Sequence, residues 1–396
     1  MRESQALRGK LSEQPRLAGA ARFDRFYVKD GLIVNFFACG KSISGGGYRN
    51  NMEEKSGHYG KKILVLAFSV LLVLIPVAAG EFYCRYFTRI NFLDNSSGLF
   101  TARRFGNSYG NTPDFTGVSF GTKFWTDSEG LRIDPAVSPE PEKDGGSGAI
   151  LVVGDSVVFG PALEASETIP GRLQSMMTDR RVMNAGVIGY DTADYLNETR
   201  YFIERYPDIE SVVLFICLND VNDQSAAEIR RSVERSIDTQ PSRNPVRMVN
   251  DFLRSRSKLY LWFKNAVTDT QKTYFDFDAA FYDRGENFVA AAMQPVSDLN
   301  KYLNTRNKSL RVYLLPYEYQ LRPEAGPEAK KPQQLITEVL RKSGVEVRDL
   351  TTDFAASGIE PRELFLFGDP MHLSSAGTLL AAKSVCPDLT GCRFQQ

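Results

Sequence analysis

"AILVVGDSVVFG", residues 149 to 160, opens with a run of apolar residues and breaks at Gly154 into a polar pair, Asp155 and Ser156. A continuous apolar run of strand length, ended by a turn signal, is what a strand buried on both faces requires. Behind it, "TIPGRLQSMM" has helical spacing, and "RVMNA" (181 to 185) reads as a second short strand. Tyr195, Leu196, Thr199, Phe202, Ile203 and Tyr206 then fall on one stripe of an amphipathic helix. "SVVLFIC" (211 to 217) and "LRVYLL" (310 to 315) supply a third and a fourth strand. A helix carrying Leu335, Ile336, Val339 and Leu340 stops near Gly344, and "VEVRDL" continues as a fifth strand. Strands alternating with helices predict an α/β fold with a parallel sheet covered on both faces.

In such sheets ligands gather beyond the carboxyl ends of the strands. That edge receives Gly154, Asp155 and Ser156 from the first strand, Asn184, Gly186 and Gly189 from the second, and Asn219 and Asp220 from the third. After the fifth, a loop delivers "GDPMH", with Asp369 and His372. A serine hydroxyl is a poor nucleophile until a base takes its proton, and an imidazole needs a carboxylate to set its tautomer. The i, i+3 spacing lets Asp369 reach Nδ1 of His372, leaving Nε2 to face Ser156. A developing oxyanion needs donors, which a glycine N–H and an asparagine amide at neighbouring strand ends can supply. Taken singly, each of these residues has an ordinary reading as a turn-former or helix cap. Their convergence on one edge is what points to a serine hydrolase.

"GDS" after the first strand, "NAGVIGY" after the second, "LND" after the third and "DPMHL" near the C-terminus together resemble the SGNH hydrolases, or GDSL-type esterases. The resemblance covers roughly residues 148 to 386. It implies a flavodoxin-like three-layer α/β/α sandwich with a five-stranded parallel sheet. It also implies Ser156 as nucleophile, Asp369 and His372 as acid and base, and oxyanion donors at the Ser156 amide, Gly186 and the Asn219 side chain. One departure stands out: the family usually has glycine two residues before the asparagine of its third block, and this chain has Cys217.

Upstream, "ILVLAFSVLLVLIPVAAG", residues 63 to 80, is uncharged and long enough to cross a bilayer as a helix, with Pro76 near one end. Residues 1 to 62 carry twelve Lys/Arg against six Asp/Glu, whereas residues 81 to 100 carry two of each. This bias predicts an N-terminus in the cytoplasm and everything after residue 80 outside. Ala78 and Gly80 are small enough for a signal peptidase, so a cleaved signal is the alternative to a retained anchor. "MEEKSGHYGKKILVLAFSV" reads as an ordinary beginning, which makes untranslated upstream sequence one reading of residues 1 to 51. His58 falls in the flank of the apolar run and reads as a solvated residue, which leaves His372 as the single candidate base in the outward portion.

Across all 396 residues, Lys+Arg and Asp+Glu both number 48, so overall charge gives no reason to expect a nucleic-acid partner. The five cysteines form no C-x-x-C pair, and two histidines cannot complete a zinc-finger spacing, so neither a metal nor a cofactor is expected. Cys217 reads as a small core residue. Cys386 and Cys392 are spaced to bridge in an oxidising compartment or to remain free thiols.

The expected organisation is a cytoplasmic segment (1–62), an anchor (63–80), a membrane-proximal strand and loop region packing the sheet edge (81–147), and a hydrolase domain (148–396). About ninety residues separate the third and fourth strands, too many for a plain crossover, which predicts a helical insert at about 223–305. Within it, residues 246 to 267 are apolar on more than one side, as a helical pair on the core or a membrane-facing flap over the site would be. The expected function is a membrane-anchored SGNH esterase in a bacterial inner membrane, facing the periplasm or exterior. It would remove or transfer O-acyl groups, acetyl foremost, on a glycan. A lipid esterase or lysophospholipase, and a non-catalytic glycan-binding or assembly protein on the same scaffold, are the alternatives.

Overall fold

The computed structural model describes residues 48–92, 95–136, 148–177, 179–222 and 245–393. Its strands are β1 (Phe100–Phe105), β2 (Ser108–Asn111), β3 (Thr116–Ser119), β4 (Thr122–Thr126), β5 (Arg132–Ile133), β6 (Ala149–Gly154), β7 (Arg181–Gly186), β8 (Ile209–Ile216), β9 (Ser309–Leu314) and β10 (Val347–Asp349). β1 and β2 form a hairpin; the other eight make one sheet in the order β10-β9-β8-β6-β7-β5-β4-β3. The pairs among β6 to β10 are all parallel. Their order along the sheet, second-first-third-fourth-fifth, is the flavodoxin-like winding. Ala149 through Val153 are each no more than 1% exposed. Because successive strand side chains point to opposite faces, that burial means both faces of the sheet are covered.

The helices within and around this sheet are α2 (Ser156–Phe159), α3 (Ile169–Met176), α4 (Thr192–Arg205), α5 (Pro245–Arg256), α6 (Lys258–Val267), α7 (Thr270–Tyr282), α8 (Glu286–Asn304), α9 (Lys331–Lys342), α10 (Thr351–Ala356), α11 (Pro361–Leu364) and α12 (Ser375–Val385). α4 begins where Asp191 accepts the amides of Ala193 and Asp194, two donors a helix start otherwise leaves unpaired. Its stripe of Tyr195, Thr199, Phe202 and Ile203 is buried. α4 packs on α8, α8 on α9, and α3 on α12.

The expectation of a five-stranded parallel sheet needs correction. β3, β4 and β5 add three antiparallel strands, joined to the parallel set through Arg132 opposite Asn184. An unpaired β7 edge would expose a row of backbone donors and acceptors, and these strands cover it. Residues 116–133 therefore belong to the same sheet as the domain expected to start at 148, and the boundary at 147 does not separate two sheets.

The insert between β8 and β9 is helical from Pro245 onward. Within it α8 is a core helix, with Val289, Met293, Val296, Leu299 and Leu303 fully buried, which leaves α5 to α7 as the addition. Cys386 and Cys392 are joined in a disulfide, resolving the choice between bridge and thiols; Cys84 and Cys217 are free and buried. The chain divides into two units, Met1–Ala67 and Phe68–Gln396. A helix runs from Tyr48 to Phe87, here α1, and its portion Leu64–Phe87 is long and apolar enough to cross a membrane. Large apolar side chains from Leu64 to Ile75 are 47% to 71% exposed. Residues before Tyr48, the Pro/Gly-rich stretch at 138–147 and the insert's first part at 223–244 lie outside the described residues.

Candidate active site

Gly154 ends β6 because a side chain there would collide with Val158 (2.4 Å) and press on the Phe215 carbonyl. The chain turns at once into α2, capped by Asp155, whose Oδ1 accepts the Val157 amide at 2.9 Å. Ser156 is thus the first residue of a helix, and its own N–H has no acceptor within that helix. Gly160, at φ +78°, terminates the turn and donates its amide to the Ser156 carbonyl. The freed carbonyls of Phe159, Gly160 and Leu163 are gathered by the buried guanidinium of Arg132 on β5. Burial pushes the Arg132 pKa down to about 10, against an opposing pull from Glu164, so it stays charged at neutral pH. Arg132 was not among the residues singled out from sequence, because its partners are carbonyls and carbonyls leave no pattern to read.

Opposite Ser156, the loop after α11 is pinned at several points. The Leu366 amide donates to the His372 carbonyl at 2.8 Å, Asp369 N–H to Leu366 O at 3.0 Å, and Glu318 N–H to Pro370 O at 2.8 Å. Asp369 Oδ1 accepts the amides of Met371 and His372, and its Oδ2 lies 2.7 Å from His372 Nδ1. The other ring nitrogen, Nε2, is 2.8 Å from Ser156 Oγ. Phe120 meets the imidazole edge to face at 5.6 Å. Ser156, Asp369 and His372, far apart in sequence, are therefore brought into one hydrogen-bonded line.

The electrostatics match that geometry. Burial alone would raise the Asp369 carboxyl, but the adjacent imidazole and the His372 and Met371 amides outweigh it and hold it below the usual carboxylate range. Burial pushes the His372 imidazole down, and the Asp369 charge and hydrogen bond, with help from Asp155, lift it above its ordinary value. The line can take a proton from Ser156 Oγ and hold it as an imidazolium.

Asn219 sits on the 3-10 turn Leu218–Val221 that leaves β8, and its Nδ2 donates to Asp155 Oδ2 at 3.1 Å. That bond uses one of the amide's two N–H groups and brings the nitrogen to the Ser156 side. Cys217, where the resemblance noted in the sequence leads to glycine, is accommodated: it is buried and its amide donates to Asp220 Oδ2. Asp220 is itself buried, bonded to the Tyr195 hydroxyl, and well above the usual carboxylate range through burial and the nearby Asp155. It braces the turn.

Gly186 departs from expectation. Its amide donates to Asn184 Oδ1 at 3.0 Å, and an added Cβ would stand 2.1 Å from the Phe159 nitrogen. The residue is glycine so that α2 can lie against β7, and its N–H is already committed. Gly189, three residues on at φ +81°, turns the chain at the same edge; among the described residues no backbone partner is found for its amide.

Two further residues escaped the sequence reading. Tyr317, after β9, donates its hydroxyl to Asp278 Oδ2 at 2.7 Å and lies 3.5 Å from Asn219 Oδ1. Asp278 comes from α7 of the insert and also accepts from Asn222 at 3.1 Å. All but Asn219 are at most 3% exposed, so the insert reaches beneath the Asn219 turn through a buried polar chain. A cavity of about 390 Å³ between α7 and the segment around Gly326–Pro332 is lined by Phe275, Tyr282 and Tyr319 and contains none of the Ser156, Asp369 or His372 line.

No family model and no curated protein matches the chain. Among solved structures it is similar to a member of the lipolytic protein G-D-S-L family from Veillonella parvula DSM 2008, at 11% identity and TM-score 0.36, covering 61% of this chain and 98% of that one. It is also similar to the lipase/acylhydrolase from Enterococcus faecalis, at 16% identity and TM-score 0.34, covering 62% and 99%. A catalytic mutant of an acetylxylan esterase from Geobacillus stearothermophilus is similar at 14% identity and TM-score 0.37, covering 64% and 100%.

Proposed function

We propose that this chain is a membrane-anchored serine esterase of the SGNH type, removing or transferring O-acyl groups, acetyl foremost, on an extracytoplasmic glycan. The observation that carries the reading is the line Asp369–His372–Ser156, with both links at hydrogen-bond length. Ser156 Oγ attacks the ester carbonyl as His372 Nε2 takes its proton. The oxyanion is met by the Ser156 amide and the free N–H of Asn219, with the Gly189 amide replacing Gly186 as third donor. The tetrahedral adduct collapses, the alcohol leaves with the proton from His372, and acyl-Ser156 remains. Water, deprotonated by His372, then releases the acid; a second alcohol in its place gives transfer. No metal or cofactor is needed for these steps.

The apolar length of Leu64–Phe87 and the basic excess before it support an anchor in a bacterial inner membrane, with the N-terminus in the cytoplasm and the catalytic unit periplasmic or extracellular. The glycan and acetate follow from that location and the family resemblance. One observation favours a second reading, esters carried on lipid: α6 of the insert runs apolar and exposed to within contact of the catalytic loop. The intact triad speaks against a purely binding role.

The test is hydrolysis of para-nitrophenyl acetate and long-chain esters by the full chain, beside Ser156→Ala and His372→Ala. Each variant is expected to lose at least about 10³-fold in kcat. Equal rates for all three refute the enzyme. A preference for long chains over acetate selects the lipid reading.

A further inference from the structure

We propose that the helix pair α5–α6 is an interfacial element that lies in the headgroup layer of the bilayer crossed by α1 and holds the catalytic loop at the membrane surface; this rests on the anchor reading above.

The first observation is how α6 begins. Glu81, near the end of the apolar helix, accepts the Ser257 hydroxyl at 2.7 Å and the amides of Lys258 and Leu259 at 3.1 and 3.0 Å. A side chain of α1 thereby caps α6, satisfying donors that a helix start leaves open and placing negative charge at its positive end. Arg85 binds Glu81 at 2.7 Å and the Arg256 carbonyl at 2.6 Å, closing the joint from the α5 side. Beneath it Cys84, Ile90 and Leu261 form a small buried cluster. The pair is therefore attached at the level of α1 where Phe82, Tyr83, Tyr86 and Phe87 stand 57% to 71% exposed, the aromatic belt expected at a membrane boundary.

The second observation is what the pair exposes. Met248, Val249 and Phe252 on α5, and Trp262, Phe263 and Val267 on α6, are 46% to 61% exposed. Their spacing puts 248, 249 and 252 on one stripe, and 263 and 267 on another. Exposed apolar stripes of this kind on two adjoining helices are out of place against water. Cations flank it: Arg256 lies over the Phe252 ring and Lys258 over Phe92. Long basic side chains on an apolar body, beside a membrane span, are the composition of a helix lying in an anionic lipid surface.

The third observation links the surface to chemistry. Asn265 lies against Gly368, the residue before Asp369. From Lys258 to Asn265 the helix rises about 10 Å. About two rigid turns of backbone thus tie the catalytic loop to the membrane joint, so that an ester presented from the bilayer surface meets Ser156 without leaving it.

The chain has two tryptophans, Trp125 and Trp262, which makes the test direct. The full chain with Trp125→Phe is reconstituted in phosphatidylcholine–phosphatidylglycerol vesicles and recovered by flotation. Brominated phosphatidylcholine is expected to remove about half of the Trp262 emission, as for a helix buried at the headgroup–acyl boundary, while iodide quenches it several-fold less than free tryptophan. A Trp262→Phe chain, subtracted from the unsubstituted one, gives the same quantity should Trp125→Phe fail to fold. A floated chain whose Trp262 is quenched by iodide and indifferent to brominated lipid overturns the inference and leaves the anchor standing. A chain that does not float overturns the anchor and the inference together.

Discussion

Asp369→Asn isolates the role of the carboxylate from the shape of its loop. In the variant the retained Oδ1 can still accept the Met371 and His372 amides, so the turn is kept. The atom facing His372 Nδ1 at 2.7 Å, however, becomes an amide nitrogen, which donates where the carboxylate accepted. The ring must then carry its proton on Nε2, the position that has to receive the proton of Ser156. A wrong tautomer in this arrangement costs about 10⁴-fold in kcat, or about 5.4 kcal/mol of transition-state stabilisation. The pH profile adds a second, independent readout. In the unsubstituted chain the Asp369 charge holds the imidazole above its ordinary value of about 6.5, so on the proposed function kcat/KM should rise with pH through an acid limb displaced upward. In Asp369→Asn burial acts without that charge, and the limb should move to lower pH while the plateau falls. The same linkage fixes the sign for stability. The raised imidazole contributes below about pH 6.5 and loses its contribution as pH rises through the raised value. The depressed carboxyl contributes above about pH 3.9 and loses it as pH falls, so the variant's deficit should be largest between these limits. A variant retaining kcat within roughly tenfold of native, or an unmoved acid limb, would mean that the Asp369 carboxylate does not set the His372 tautomer.

Asn219→Ala should lower kcat by about 10²- to 10³-fold with little change in KM, the signature of a donor that matters in the transition state; steady-state kinetics on an activated acetate ester reads this directly. Tyr317→Phe leaves buried Asp278 without its hydroxyl donor, and should cost about 1 to 3 kcal/mol in a urea titration together with a several-fold drop in kcat. Gly186→Ala places a carbon 2.1 Å from the Phe159 backbone, so thermal unfolding should show a loss beyond about 3 kcal/mol or an insoluble chain; a stable, active Gly186→Ala would mean α2 does not lie against β7 as described.

β6 and β8 were legible as apolar runs, whereas β7, β9 and β10 are broken by Arg181, Arg311 and Arg348 and were legible from their alternation with helical patterns. Ser156, His372 and Asp369 were legible because a serine, a histidine and a carboxylate are rare together at strand ends, and the folded chain does join them by hydrogen bonds. β3 and β4 were harder to place: each has one buried and one solvated face, and alternation alone does not say which edge a short strand will join. Arg132 and Tyr317 work through backbone carbonyls and a carboxylate from a distant helix, partners that only the folded chain brings near. Gly186 reads in the sequence as an oxyanion donor, while the structure has its amide on Asn184 Oδ1. A glycine required for close packing and a glycine that offers its amide look alike in sequence, and the Asn184 side chain that claims the amide is two residues away. Glu81 likewise reads as the end of an apolar run; its role as a cap on Lys258 appears only when α6 folds back to it.

The proposed activity requires that Ser156 become covalently acylated with His372 as its base. It is tested most directly by treating the full chain with a fluorophosphonate probe and locating the adduct by peptide mass spectrometry. One adduct on the peptide containing Ser156, formed at a rate that collapses in His372→Ala, is the predicted result. An unmodified Ser156, or labelling that proceeds equally well without the imidazole, would contradict it.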